Sequence, residues 1–507
     1  MSDGIASSLE SCRKAARRLS KAHALRDAEA LARVAAHIPG TRLLKHADFL
    51  HVIAREAGHE SWPKLKFALE SEAMSRAEKA ERLKMALYLG QHWVTDRLLA
   101  DNPGLKDENL GLQIALYDLE AVRAAIESDP ETAIRPIGLR SPILHLAFSK
   151  EIHRCPERQA EMLAIAELLL AHGANASDGY AAEPGGAHKL SALYGALCHA
   201  DNFALGRWLL EKGADPDDDE SLYHSTELGD PKALKLLLEH DAKPWGTNAL
   251  ARALDFRSEE MVRLLLEAGA DPDEALPDHP GGQPVHTIPA LHQAARRMCP
   301  AGLADLLLDH GADPNRIWNG HSPYATARIY GNDAMAELLA QRGADTSLSE
   351  TEMRLSACAR GIVPAKPFDP DRLHREDRML LTRIAFEEDR LAHMAALVAA
   401  GLDPDQVDEM KLPPLHAAGW AGLPQTVAFL LTLEPDLDRK NAYGGDALGT
   451  VLHGSEHNLD RAKRDHISCA RLLLEAGSTL HPEYIAGCGN EEMVQFLEDW
   501  QEKSGQA

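Results

Sequence analysis

The chain has 507 residues, too many for one compact core, and the ordinary expectation is roughly three or four domains unless a repeat lets each unit bury its apolar face against the next. Its composition is that of a folded chain, 45% apolar and 26% charged, with aromatics at only 5%, so Leu, Ala, Val and Ile must build the core. The net charge of −24 is uneven: residues 1–90 carry 16 Lys/Arg against 11 Asp/Glu and the remainder is strongly acidic, which repels phosphate backbones and argues against nucleic acid as a partner. No apolar run approaches the ~20 residues of a membrane helix, so no membrane partner is expected. The N-terminus lacks the basic-then-apolar pattern of a secretory signal. Seven cysteines are scattered without a CxxC pair, which suits a reducing compartment, so a cytoplasmic location is expected.

In chain order, Leu9, Ala16, Leu19 and Ala22 mark an amphipathic helix whose other face carries Arg13, Lys14, Arg17, Arg18 and Lys21. A second helix over 28–37, a break at Pro39-Gly40 and a third helix over 44–57 follow. Ser61 is expected to cap a last helix with Pro63 in its first turn, and Trp62 to pack as a lid over the small bundle. The basic face is expected to lie near the acidic part of the chain, with phosphates or an acidic partner as the alternative.

Residues 81–103 and 110–130 keep helix-turn-helix periodicity. Farther on, one tail recurs: LLLAHGAN at 168–175, WLLEKGADPD at 208–217, LLLEHDAKP at 236–244, LLLEAGADPD at 264–273 and LLLDHGADPN at 306–315. It continues as LLAQRGADT at 338–346, LVAAGLDPD at 397–405 and LLLEAGST at 472–479. The leucines are the inward face at a helix end, the glycine takes the left-handed position beyond it, and Asp-Pro directs the chain into an extended turn. A shorter helix precedes each tail, as in PILHLAF at 142–148, PALHQAAR at 289–296, SPYATARIYGN at 322–332 and PPLHAAGWAG at 413–422. Ser322 supplies a capping hydroxyl and Pro323 a first helical turn.

These segments resemble the ankyrin repeat. The shorter helix is similar to the family's TPLHxAAxxG, and Asn441 to Asp446 (NAYGGD) to its fingertip pattern DxxGxT. The stretch IAREAGHESWPKLK at 53–66 is similar to a helical leader found ahead of ankyrin arrays in bacterial proteins. The resemblance covers residues of about 80 to 500. It implies an all-α ankyrin-repeat solenoid of helix-turn-helix units with clipped or absent β-hairpin fingers, preceded by a small helical module. The organisation it implies is a helical N-terminal module at 1–75, degenerate opening repeats at 76–136 and a first stack at 137–361. An inserted loop or hinge at 362–378 and a second stack with a C-terminal cap at 379–507 complete it. The tails at 213, 241 and 269 are 28 residues apart, shorter than the family's ~33, so fingers there should be clipped. Insertions are expected at 149–158, 275–288, 362–378 and 453–466, and 349–361 reads as a lone first helix. The unit at 484–500 is expected to be a cap with its charges turned to water.

By resemblance the protein binds a partner protein through the concave side of the array, one with a basic surface being favoured by its acidity. The exposed helix positions are Ile329 and Tyr330 in one repeat, Trp420 in a later one, and Arg296 and Arg297 in the preceding one. Fingertips supply Trp318, Asn319, His321 and Tyr443. Aromatic and arginine side chains dominate interface energies, and these nine residues are the expected partner-binding set. No catalysis, metal or cofactor is expected, because His145, His292 and His416 hold the family's structural histidine position. His453, His457 and His466 with Asp460, and the run Asp215, Asp217, Asp219 and Glu220, have ligand-like spacings. Both read as solvated or repeat-derived turns. The alternatives are an adaptor or immunity-type inhibitor of one specific enzyme, and an enzyme or metal-binding protein using an inserted loop.

Overall fold

The computed structural model describes residues 8–38, 44, 46–182, 185–275, 287–458 and 460–504. The predicted break at Pro39-Gly40 and most of the expected insertion at 275–288 lie outside the described residues. The fold is an all-α solenoid of helix-turn-helix units, and the local chemistry shows why each unit forms. In the outer helix Glu259–Glu267 the Ser258 side chain accepts from Met261 N, Leu265 and Leu266 are buried, and Gly269 follows with φ 99°. The inner helix Pro323–Tyr330 starts with Ser322 Oγ accepting from Ala325 N at 3.1 Å and stops at Gly331, φ 78°. Inner helices stack in a row: Ala290–Arg296 packs on Pro323–Tyr330, which packs on Glu350–Ala359. The outer helices Ala301–Asp309 and Asp333–Gln341 stack behind them.

Between the tails at 213, 241 and 269 the fingers are reduced to turns, as the 28-residue spacings predict. An earlier finger is a true hairpin, in which β1 (Gly179–Ala181) pairs antiparallel with β2 (Lys189–Ser191), Tyr180 opposite Leu190. Elsewhere the finger shrinks to single bridges, Ile137 with Arg140 and Trp318 with His321.

One apolar core runs from Ile114 to Ala344 and a second from Ile329 to Leu497, so the two overlap at the helix Pro323–Tyr330. The lone helix Glu350–Ala359 bridges them by packing on Pro323–Tyr330 and on Leu391–Ala399. The segment expected as a hinge is anchored. Phe368 is buried, its N–H donates to the Ala400 carbonyl at 2.6 Å, and the Arg354 guanidinium lies 4.5 Å from its ring.

The N-terminal module is four helices, Leu9–Ala24, Ala28–His37, His46–Glu56 and Trp62–Glu72, with its own core. Trp62 is buried in that core. Ser61 takes the cap position with extended backbone, yet its side chain makes no capping hydrogen bond, which corrects the sequence expectation. The basic face of the first helix is solvated at Lys14, Arg18 and Lys21, whereas Arg13 and Arg17 turn toward an acidic neighbour. Arg17 Nη2 lies 2.6 Å and Arg13 Nη1 4.0 Å from Glu498 in the last helix, and His46–Glu56 packs on that same helix, Glu491–Ser504. Glu498, expected to face water, is 17% exposed, and the two ends of the chain therefore touch. Among the described residues no helix is long and apolar enough to cross a membrane.

Candidate interaction site

The ends of the inner helices and the finger turns form one continuous row, and over most of its length this chain fills the row itself. Near its start the Arg140 guanidinium lies 4.9 Å from the Tyr88 ring, 4.7 Å from Phe148 and 4.7 Å from Tyr180, and it donates to Tyr180 Oη at 3.0 Å. Tyr88 also packs on His199, ring centroids 3.9 Å apart. A guanidinium among aromatic faces gains cation–π attraction that strengthens as water is excluded.

Next comes a charged cluster. Glu220 is buried and faces His188 Nε2 at 2.6 Å and His224 Nε2 at 2.8 Å, while His224 Nδ1 faces Glu227 at 3.1 Å. Burial opposes charge on His224, but its hydrogen bonds to Glu220 and Glu227 outweigh that and raise its pKa to about 9. Arg252 closes the cluster through Glu227 at 2.8 Å and Asp255 at 2.9 Å. The alternating acids of this finger are turn formers. Asp215 Oδ1 accepts from Asp217 N at 3.0 Å, and Asp217 Oδ1 accepts from Lys243 N at 2.8 Å.

The patch from 296 to 330 holds most of the predicted partner-binding residues, and there the structure overturns their expected exposure. Arg296, His321, Ile329 and Tyr330 are buried. Their cover is the end of the 362–378 insertion and the residues after it, comprising the short helices Arg375–Arg378 and Leu380–Ile384. His321 Nδ1 donates to Glu352 Oε1 at 2.8 Å and Nε2 to Asp377 Oδ1 at 2.9 Å. Arg296 donates to Gln293 Oε1 at 2.7 Å and lies 4.0 Å from Glu376. Glu376 also meets Arg383 at 3.3 Å, and Arg383 reaches Glu409 at 2.8 Å. Tyr330 and Ile329 join Leu380 and Leu381 in the second core. A void of only 20 Å³ remains between the patch and its cover. Arg297 is half-buried on Asp255 at 2.7 Å, Trp318 is half-buried against His292, and Asn319 is exposed. The acidic groups that meet Arg296 and His321 are thus supplied from within the chain, by Glu376 and Asp377. The acidic pair Glu376-Asp377 ahead of Leu380-Leu381 was the available signal, but pairing it with Arg296 and His321 needs the fold.

The row opens beyond residue 384. A recess of about 710 Å³ is lined by Phe386, Leu412, Trp420, Tyr443, Gly449, His453 and Tyr484 among others. Trp420 ends the inner helix Pro414–Trp420 and its ring lies 5.2 Å from His453. Tyr443 is 76% exposed on a finger turn. That turn is fixed by Asn441 Oδ1, which accepts from Tyr443 N at 2.9 Å and Gly445 N at 3.1 Å, with Gly444 at φ 81°. Tyr484 Oη donates to Asp446 Oδ2 at 2.7 Å, and Lys440 Nζ meets the same oxygen at 2.6 Å. Burial works against the Asp446 charge, but its bonds to Lys440, Gly449 N and Tyr484 keep its pKa below the usual range. Gly449 keeps the recess open, since a Cβ there would meet Tyr484 Oη at 3.0 Å. Of the nine predicted residues, Trp420 and Tyr443 come together here. Phe386 and Tyr484 are additional walls that sequence reasoning missed, because they lie outside the repeat positions the resemblance marks, and His453, singled out only for its spacing to His457, is a third.

The histidines of the 453–466 insertion do not converge on one point. His453 and His457 share the helix Ala447–His457 with rings 4.4 Å apart, whereas His466 Nε2 donates to the Trp420 carbonyl at 3.1 Å and Asp460 pairs with Lys463. Among the described residues no group of three or more His, Cys, Asp or Glu is arranged to hold a metal ion.

Residues 193–275 match the family model for ankyrin repeats, in three copies. The chain is 27% identical over 241 residues to ankyrin repeat and MYND domain-containing protein 1 of Homo sapiens, a match spanning 38% of this chain and 25% of that protein. It is 42% identical over 67 residues to the protein of the same name in Mus musculus, spanning 12% of this chain and 7% of that protein. The chain thus spans about a quarter, or less, of the length of these curated relatives.

Proposed function

We propose that this protein is a noncatalytic scaffold that binds a partner protein through the concave face of its second stack, at the recess bounded by Trp420 and Tyr443. Ankyrin repeats generally mediate protein–protein interaction, and three copies are found at 193–275. The observation that carries the reading is the contrast along the row. Own side chains fill it at Arg140, Arg252 and His321, whereas about 710 Å³ stays open where Trp420 and Tyr443 meet. An aromatic-lined, largely apolar recess with a few fixed polar groups has the make-up of an interface hot spot. We infer action in a reducing compartment such as the cytoplasm, a reading supported by seven cysteines scattered without a CxxC pair.

The test is affinity capture with the full chain from an extract of its source cell, repeated with Tyr443→Ala plus Trp420→Ala and with Trp318→Ala. Partners lost with the first variant and kept with the second support the reading. Unchanged recovery from Tyr443→Ala plus Trp420→Ala contradicts it.

A further inference from the structure

Near the start of the row, guanidinium groups of the same chain meet its aromatic groups. Arg140 lies against Tyr88, Phe148 and Tyr180, and Arg252 lies 4.9 Å from Phe256 and 5.8 Å from Tyr223. Among the described residues, no Lys or Arg of this chain lies over the rings of Phe386, Trp420, Tyr443 or Tyr484. Lys440, on the finger that carries Tyr443, is paired with Asp446 at 2.6 Å.

The field around the recess favours positive charge. Residues 379–500 carry 20 Asp/Glu against nine Lys/Arg, and Glu387, Glu388 and Asp389 follow Phe386 directly. An acidic surround attracts a basic segment during encounter, and aromatic walls then select among cations. Guanidinium is planar and weakly hydrated, so it stacks on aromatic faces at less desolvation cost than an ammonium. The recess also exceeds the volume of one side chain, leaving room at Leu412 for an apolar neighbour of the inserted residue.

Resting on the reading that this recess is the docking site, we propose that it takes an arginine side chain from a basic peptide segment of the partner protein, as Arg140 is taken within the chain. The probes are four sets of short peptides, random except for a central arginine, lysine, leucine or glutamate, presented to the immobilised full-length protein. The arginine set should be retained about tenfold better than the leucine set, and the preference should weaken as salt rises. Tyr443→Leu and Trp420→Leu keep apolar area but remove the ring faces, so each should collapse the arginine preference while leucine retention holds. Equal retention of the lysine set overturns the guanidinium assignment. Equal or better retention of the leucine set overturns the cation altogether, yet leaves the docking reading intact. Retention of no set above glutamate also overturns the arginine assignment, and the docking reading is then judged by the capture experiment alone.

Discussion

His321 bears a proton on each ring nitrogen because each nitrogen faces a carboxylate, Glu352 on one side and Asp377 on the other. Burial opposes that charge, but the two hydrogen bonds prevail and lift the imidazole pKa to about 9. The same bond, with help from Ser349, holds Glu352 down at about 2 against its own burial. The folded pKa of His321 exceeds its unfolded value, so its contribution is whole below about pH 6.5 and is lost as pH rises through 9. Glu352 has the opposite sign: its contribution is present above about pH 4.5 and is lost as pH falls through 2. The expected outcome is a His321 imidazole that titrates near pH 9 by NMR and falls toward 6.5 in Asp377→Asn. Titration near 6.5 in the unaltered chain would mean that the cover is not seated as described. The array's other buried histidines go the other way. His145, His292 and His416 are each pushed down to about 4 chiefly by burial, as suits rings that hold backbone and never need charge.

At the scale of elements, close backbone approach decides which segments can meet. Gly320 has φ 87° in the finger turn beside His321, and a Cβ there would run into the His374 ring at the start of the covering helices. Gly320→Ala is therefore expected to unseat residues 370–384. Faster amide exchange there, with unchanged exchange in the outer helices Ala301–Asp309 and Asp333–Gln341, would register it; uniform exchange across the array would speak against a local latch. Destabilisation should be about 1–3 kcal/mol by urea unfolding, from the clash and the left-handed backbone together. Much of this level was legible beforehand. The repeating LLLEAGADPD tail located the outer helices, Ser322 and Pro323 located an inner helix, and the 28-residue spacings foretold the clipped fingers. The destination of residues 373–384 was not legible. Helical periodicity fixes which face of a segment is apolar, but not which distant groove that face enters. Arg296, Ile329 and Tyr330 were therefore expected at the surface and are core. Trp420 and Tyr443 were legible as a helix end and a fingertip, while Phe386 and Tyr484 reach the same recess from units whose repeat pattern has decayed.

Across the whole molecule, the charge asymmetry of the sequence becomes a contact. The basic first helix and the acidic last one meet through Arg13, Arg17 and Glu498, all less than one-fifth exposed. Glu498→Arg should part the ends and enlarge the radius of gyration seen by small-angle scattering, and adding Arg13→Glu with Arg17→Glu should restore it. An unchanged radius in Glu498→Arg would show that apolar packing between His46–Glu56 and Glu491–Ser504 suffices. Between those ends the row of inner-helix ends and finger turns is occupied by Arg140, by the Glu220 cluster and by the 370–384 cover before it opens at Trp420. The most direct check of that division is site-specific photo-crosslinking in cell extract, with a photoreactive residue placed in turn at Tyr443, Trp318 and the exposed Leu139. A discrete protein adduct from position 443 alone is the predicted result. Adducts from 318 and none from 443 would contradict it, placing the partner on the face that the chain here covers itself.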